Sequence, residues 1–254
     1  MEVAPFVVGI DVAASRPSVA VALRADRRAL EVAAWREADE QETGDRGRLL
    51  DWLDSLQPSA VAITAAQRPR RAAGGAPPPR RADAELLRRR IAVAPAPTRA
   101  QAEAGGRRYV HTRTGWAYFK DLRQRGYETL APGGLSGALG QAPAVLEIYP
   151  HAGFVTLLGG TPPPKSTREG LHLRALTLRR LGLHWDEYYD AASLDALMAA
   201  FTAWRVVQGL ASALGDERDG CVWLPVTRHE LRDTYAPLTT AGAREAVARL
   251  GSRS

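Results

Sequence analysis

Three carboxylates stand where a carboxylate is expensive. Asp11 ends the apolar run PFVVGIDV, Glu147 lies inside AVLEIY, and Asp195 falls on the apolar face of the stretch 192–214. A buried acid needs a counter-charge, hydrogen bonds or a metal ion. Acids from a first strand, a later strand and a late helix suggest one convergent cluster. Hard oxygen ligands of that kind can hold one or two Mg²⁺ or Mn²⁺ ions. Two such ions can activate water and stabilise the leaving oxygen in phosphodiester hydrolysis. Each acid also has a plainer reading: Asp11 as a turn cap, Glu147 as the partner of an arginine, Asp195 as an acid facing a helix N-terminus.

Other chemistries fail on spacing. GGTPPPKS (159–166) ends like a phosphate-binding loop, but Pro164 stands where a glycine amide must face phosphate. Ser136 lies in GGLSGA, and Ala138 occupies the last glycine of a nucleophile elbow. The five histidines (111, 151, 172, 184, 229) have no metal-ligand spacing and read as structural or surface residues. Cys221, the single cysteine, sits in an apolar strand and reads as a small core residue. One cysteine excludes an intramolecular disulfide and a multi-cysteine zinc site, and fits a reducing, cytoplasmic setting.

Charge points to a partner. The net charge is +6 over 254 residues, and only Lys120 and Lys165 among the 34 basic residues are lysines. Between Arg68 and Arg113, twelve arginines face Asp83, Glu85 and Glu103, a local +9 that leaves −3 for the rest of the chain. Such asymmetry is the electrostatic footprint of an anionic partner, nucleic acid before membrane; a solvated arginine-rich insertion is the alternative. The chain is 45% hydrophobic and 24% charged, a globular balance. No stretch reads as a membrane span, since the most apolar one carries Asp195, Arg205 and Gln208. The first residues lack the basic and apolar regions of a signal peptide.

The elements that must position these groups follow from periodicity. Strands are expected at 5–12, 18–24 and 30–36, joined by short connections as an antiparallel meander. Leu49, Leu50, Leu53 and Leu56 share one face of a helix at 45–56. Pro58 stops it, and a buried fourth strand at 59–64 implies a parallel crossover. Residues 65–142 read as a basic, Pro/Gly/Arg-rich insertion or lid holding helices near 82–90 and 115–125, the second with Trp116, Phe119 and Leu122 on one face. A fifth strand is expected at 144–149, helices at 168–182 and 192–214, and an edge strand at 221–226. Residues 228–254 read as a peripheral end to a single domain.

GIDVA (9–13), the R-x-A-D-x-x-L-L-R stretch at 80–88, LEIYPHA (146–152) and LDALMAAFTA (194–203) together resemble the family called domain of unknown function 429, described as predicted nucleases of the RNase H-like fold. The resemblance runs in order over roughly residues 7–226. It implies an α/β fold, an RNase H-like mixed sheet of three antiparallel strands followed by parallel strands, flanked by helices. It makes Asp11 the first-strand acid, Glu147 the acid of an E-x-Y-P motif and Asp195 the late-helix acid. It also implies Mg²⁺ or Mn²⁺ as cofactor and nucleic acid as substrate. Arg81 and Asp83 match an arginine–acid motif, Arg81 as part of an anion-binding arm and Asp83 as a surface partner. Arg81, Arg88, Arg107 and Arg108 are the expected backbone-phosphate contacts. Trp116, Tyr118 and Lys120 can stack and pair with a strand, although helical spacing favours core packing for Trp116.

Two departures weaken that expectation. Relatives carry Ile-Asp-Ala-Pro after the fourth strand, where this chain has Thr64 and Ala66. Relatives also carry an acid three residues before the late-helix one, where this chain has Ala192, with Glu187 and Asp190 nearby. The sequence therefore supports two functions: a metal-dependent nuclease using Asp11, Glu147 and Asp195, or a catalytically degenerate nucleic-acid-binding or scaffold protein that keeps the fold.

Overall fold

In a computed structural model the chain is described at residues 6–26, 29–39, 42, 44–72, 78–132, 142–185 and 189–250. Ser136, Glu187 and the Gly/Pro stretches around 74–77 and 133–137 lie outside them. The first three strands, β1 (Phe6–Asp11), β2 (Ser18–Asp26) and β3 (Ala29–Ala38), form an antiparallel meander. Helix α1 (Asp45–Leu56) crosses to β4 (Ala60–Ile63), which pairs parallel with β1. After the insertion, β6 (Ala144–Ile148) pairs parallel with β4. The apolar runs AVAI and AVLEI are buried throughout, as parallel strands covered on both faces must be. Three antiparallel strands, then parallel ones, with helices on both faces, make the mixed sheet of the RNase H-like arrangement.

The insertion holds α2 (Arg81–Arg88), α3 (Arg99–Ala104), a 3-10 turn (Gly106–Tyr109), α4 (Val110–Gln124) and the two-residue β5 (Glu128–Thr129), which joins the start of β6. Helix α3 was not expected; a capping box between Thr98 and Gln101 starts it. Beyond β6 come α5 (Pro150–Leu158), α6 (Arg168–Arg180), β7 (Leu183–His184), α7 (Ala191–Val207), β8 (Ser212–Asp216), β9 (Gly220–Leu224) and α8 (Thr240–Leu250). The sheet runs β7-β3-β2-β1-β4-β6-β9-β8.

Several expectations are corrected. The helix expected at 192–214 ends at Val207, where Gln208 caps it and Gly209 takes a left-handed φ of 70°. Residues 212–216 are then free to form β8, so β9 is an interior strand, not an edge. Helix α5 was also missed; Pro150 opens it at a position where the missing amide is no loss. The last segment is more than periphery, because Tyr235 is fully buried and α8 packs Ala243, Ala246 and Val247 against Leu158 and Leu173. Within α4, Tyr118 is buried and Trp116 only half so, with Arg99 over its ring at 5.9 Å.

Two apolar layers hold the sheet. On one face Val7, Ala60, Ala62, Leu146 and Ile148 meet Leu194, Leu197 and Met198 of α7. On the other, Val8, Ile10, Val61, Ile63 and Val145 meet Leu49 and Leu53 of α1 and Tyr118, Phe119 and Leu122 of α4. Helix α7 lies directly across β1. A Cβ at Gly9 would strike the Ala196 carbonyl and the Ala200 amide, so glycine is what lets helix and strand approach this closely.

Candidate functional site

Asp11 ends β1, and its Cα partner Val19 belongs to the α7 layer, so the carboxylate faces α7. It is 6% exposed. Thr64 continues β4, donating its amide to the Ile10 carbonyl at 3.0 Å. Its hydroxyl donates to Asp11 Oδ1 at 2.8 Å and accepts the Val12 amide at 3.0 Å. Thr64 therefore orients the Asp11 carboxylate, where an acid would have repelled it. The exposed Arg16 side chain closes an ion pair onto Asp11 Oδ2.

Asp195 lies on the second turn of α7, 5% exposed. Its proximity to Asp11 follows from the close seat of α7 on β1. Burial pushes its pKa up to about 6, the Asp11 charge pushes the same way, and Lys165 and Arg174 oppose them. Lys165, from the proline-rich loop 161–165, is ion-paired to Asp195 Oδ2. Asp190 instead caps α7, accepting the Ser193 amide at 2.8 Å. Ala192 is packed in the core, so an acid at that position would be buried in this chain.

Two of the histidines lie beside this site. His111, on the first turn of α4, hydrogen-bonds the Thr64 backbone; burial lowers its pKa, as do Arg16 and Lys165, against the pull of Asp11. Burial, with Arg174 and Lys165, drives His151 down to about 4. A Cβ at Gly115 would strike that of Ala65, so α4 packs hard against the chain just beyond Thr64 and carries His111 to the site. Arg16 and Arg174 gave no sequence signal, and Lys165 and both histidines failed on motif spacing, because each comes from a different loop or helix.

Glu147 does not join Asp11 and Asp195. Its Cα partner is Ile63, whose own partner is Ile10, so Glu147 belongs to the row facing α1 and α4. The side-chain period of two sends it to the face opposite Asp11. There, 3% exposed, it takes two hydrogen bonds from Arg80, at 2.7 and 2.9 Å, and the Gln67 amide at 2.7 Å. Arg80, itself 3% exposed, also donates to both oxygens of Asp83, at 2.9 and 3.2 Å. Asp83 accepts the Ala96 amide at 3.0 Å as well. The arginine–acid pair of the insertion is thus Arg80–Asp83, buried, rather than Arg81 with a surface Asp83. It fastens the N-terminal end of α2 to β6. Cys221, with its thiol pushed up to about 12 by burial, is the core residue expected.

Most arginines of 68–113 are occupied. Arg81 pairs with Glu85 at 3.3 Å, Arg71 with Asp219 at 3.2 Å, and Arg89 with Glu85 at 3.6 Å. Arg88, Arg90, Arg107 and Arg108 are exposed and make no ion pair among the described residues. Arg107 and Arg108 immediately precede α4 and His111. Arg88 and Arg90 precede Ala92, whose carbonyl accepts the Tyr149 hydroxyl at 2.9 Å.

Among the described residues, no three of His, Cys, Asp and Glu come together as a metal-ligand group. A two-metal cage therefore does not fit, and the three-acid cluster expected from the sequence is reduced to Asp11 and Asp195. The remaining donors suit one hard cation of the Mg²⁺ type, which is commonly bound through one or two carboxylates with water and substrate phosphate completing the shell. None of the described helices is long and apolar enough to cross a membrane.

The family model described as "Protein of unknown function (DUF429)" matches residues 8–219. No curated protein matches the chain. Among solved structures, T. thermophilus RuvC in complex with a Holliday junction substrate is similar over 77% of this chain and 90% of that one, at 14% identity and a TM-score of 0.36.

Proposed function

This chain belongs to the DUF429 family, and from that premise we propose that it hydrolyses nucleic-acid phosphodiester bonds at the Asp11–Asp195 pair with the help of one divalent cation. The observation that carries the reading is the placement of Asp195: a carboxyl 5% exposed on α7 where that helix lies across β1, its pKa raised by burial and the Asp11 charge near enough to raise it further. Two acids held together out of water create a demand for positive charge at one point. A cation bound there would polarise the phosphoryl oxygen and lower the pKa of water.

The chain's own groups supply the rest. Thr64 fixes the Asp11 oxygens, and Arg16 and Lys165 balance the carboxylates until substrate arrives. His111, neutral at pH 7 beside Thr64 and Asp11, can take or return a proton. Arg107 and Arg108 on one side, and Arg88 and Arg90 on the other, would hold the phosphate backbone.

A second reading has its own support. Thr64 is neutral and Glu147 is committed to Arg80, so a nucleic-acid-binding protein without hydrolysis would also use this fold. Labelled single-stranded and duplex DNA and RNA, incubated with Mn²⁺ and either the wild type or Asp11→Asn, separate the two. Cleavage by the wild type alone supports hydrolysis. A demonstrated cleavage that survives Asp11→Asn overturns it, and salt-dependent binding with no cleavage favours the second reading.

A further inference from the structure

Beside Asp195 lies a cavity of about 360 Å³, walled by Ala92, Tyr149, His151, Lys165 and Arg174. Its charge is unbalanced. Arg174 is 2% exposed and makes no ion pair among the described residues. Its Nη1 donates to the carbonyls of Pro163 and Gly170, both at 2.8 Å, and its guanidinium lies 5.4 Å from the Phe154 ring centroid. These contacts fix the group in place and leave its charge facing Asp195, which alone opposes its desolvation. Asp195 is already ion-paired to Lys165. His151 adds no charge at neutral pH, held neutral by burial and, less, by the same two cations. The cavity thus carries two cations against one carboxylate, and the N-terminal end of α5 adds partial positive charge.

We propose that this cavity is a phosphate subsite in which Lys165 and Arg174 hold a backbone phosphate of the nucleic acid, Lys165 exchanging Asp195 for the phosphate as it binds. The exchange links two events. While Lys165 neutralises Asp195, the carboxylate pair has less need of a cation. A phosphate that draws Lys165 away leaves two unbalanced acids, so phosphate and divalent cation bind with positive coupling. The inference deepens the proposed function by assigning where the substrate's phosphate sits, but it does not require hydrolysis.

Calorimetric titration with inorganic phosphate, in EDTA, tests the subsite apart from catalysis. The wild type is expected to bind it, and Lys165→Met, at an exposed side chain, to bind at least tenfold more weakly. Arg174→Gln, with folding checked by circular dichroism, is expected to match that loss. Equal phosphate affinity in wild type and Lys165→Met, or no binding up to about 10 mM, overturns the proposal. A short single-stranded oligonucleotide should displace the phosphate; failure to displace overturns the assignment to a nucleic-acid backbone. Absence of cleavage in the Mn²⁺ assay would sink the hydrolytic reading and leave this result untouched.

Discussion

Two buried acid clusters lie on opposite faces of one sheet, one strand apart, and they are built in opposite ways. Glu147 and Asp83 share Arg80 between them, and backbone amides fill further acceptor sites. Every oxygen there has a partner, and the cluster fastens the insertion to the sheet. Asp11 and Asp195 instead lie within range of each other's charge, each ion-paired to an exposed cation that can leave. A closed network of buried charge is a structural staple; an open one, whose paired cations are exposed, is poised for a ligand.

The sharpest way to break this comparison is to neutralise each cluster in turn. Asp11→Asn is expected to lose hydrolysis on the order of a thousandfold, about 4 kcal/mol in the barrier, with little change in melting temperature. Arg80→Met should do the reverse. Removing one partner from a buried network costs about 3–5 kcal/mol, read as a lower denaturant midpoint, and any protein that still folds should keep its Mn²⁺ site. If Arg80→Met is neutral for stability, the staple account is wrong.

Asp195 provides a test with a sign. Its folded pKa is raised from 3.8 to about 6, so between those values the native state binds more protons than the unfolded one. Stability therefore falls as pH rises through that window, by about 3 kcal/mol in all. Asp195→Asn should stabilise the protein by up to that amount at pH 7.5 and by almost nothing at pH 3.5. His151, lowered to about 4, acts oppositely: its contribution is intact above about pH 6.5 and is lost as pH falls to 4. Melting curves across pH for Asp195→Asn and His151→Asn check both signs.

Smaller effects sharpen the picture. Thr64→Asp adds a third carboxylate beside Asp11 and should raise Mn²⁺ affinity by about tenfold, measured by calorimetry, while lowering metal-free stability. Unchanged affinity would mean that residue 64 does not face the cation. Arg107→Ser with Arg108→Ser should reduce the salt slope of nucleic-acid binding by about 2, one per phosphate contact. An unaltered slope would move the nucleic acid to another face.

Much of the framework was legible. The first three strands, α1 to its exact ends, and the buried fourth and fifth strands follow from apolar runs and period-3.6 leucines. Asp11 and Asp195 were readable as acids in apolar surroundings. Glu147 met the same criterion and means something else, because burial is encoded in composition but the face is encoded in register. Whether an acid points up or down depends on pairing with β4, which the strand's own residues do not state. The helix boundary at Val207 was hidden by the apolar stretch running on into β8. Lys165 was set aside with a failed phosphate-loop motif, and its role rests on a tertiary meeting with α7 across thirty residues of sequence.

The central claim is that the working acids are Asp11 and Asp195 and that Glu147 is structural. Calorimetric titration of Mn²⁺ into the wild type, Asp195→Asn and Glu147→Gln tests it directly. The account predicts one site in the wild type, its loss in Asp195→Asn, and its retention in folded Glu147→Gln. Loss of binding in Glu147→Gln with retention in Asp195→Asn would contradict it, as would a wild type that takes up no Mn²⁺ at millimolar concentration and neutral pH.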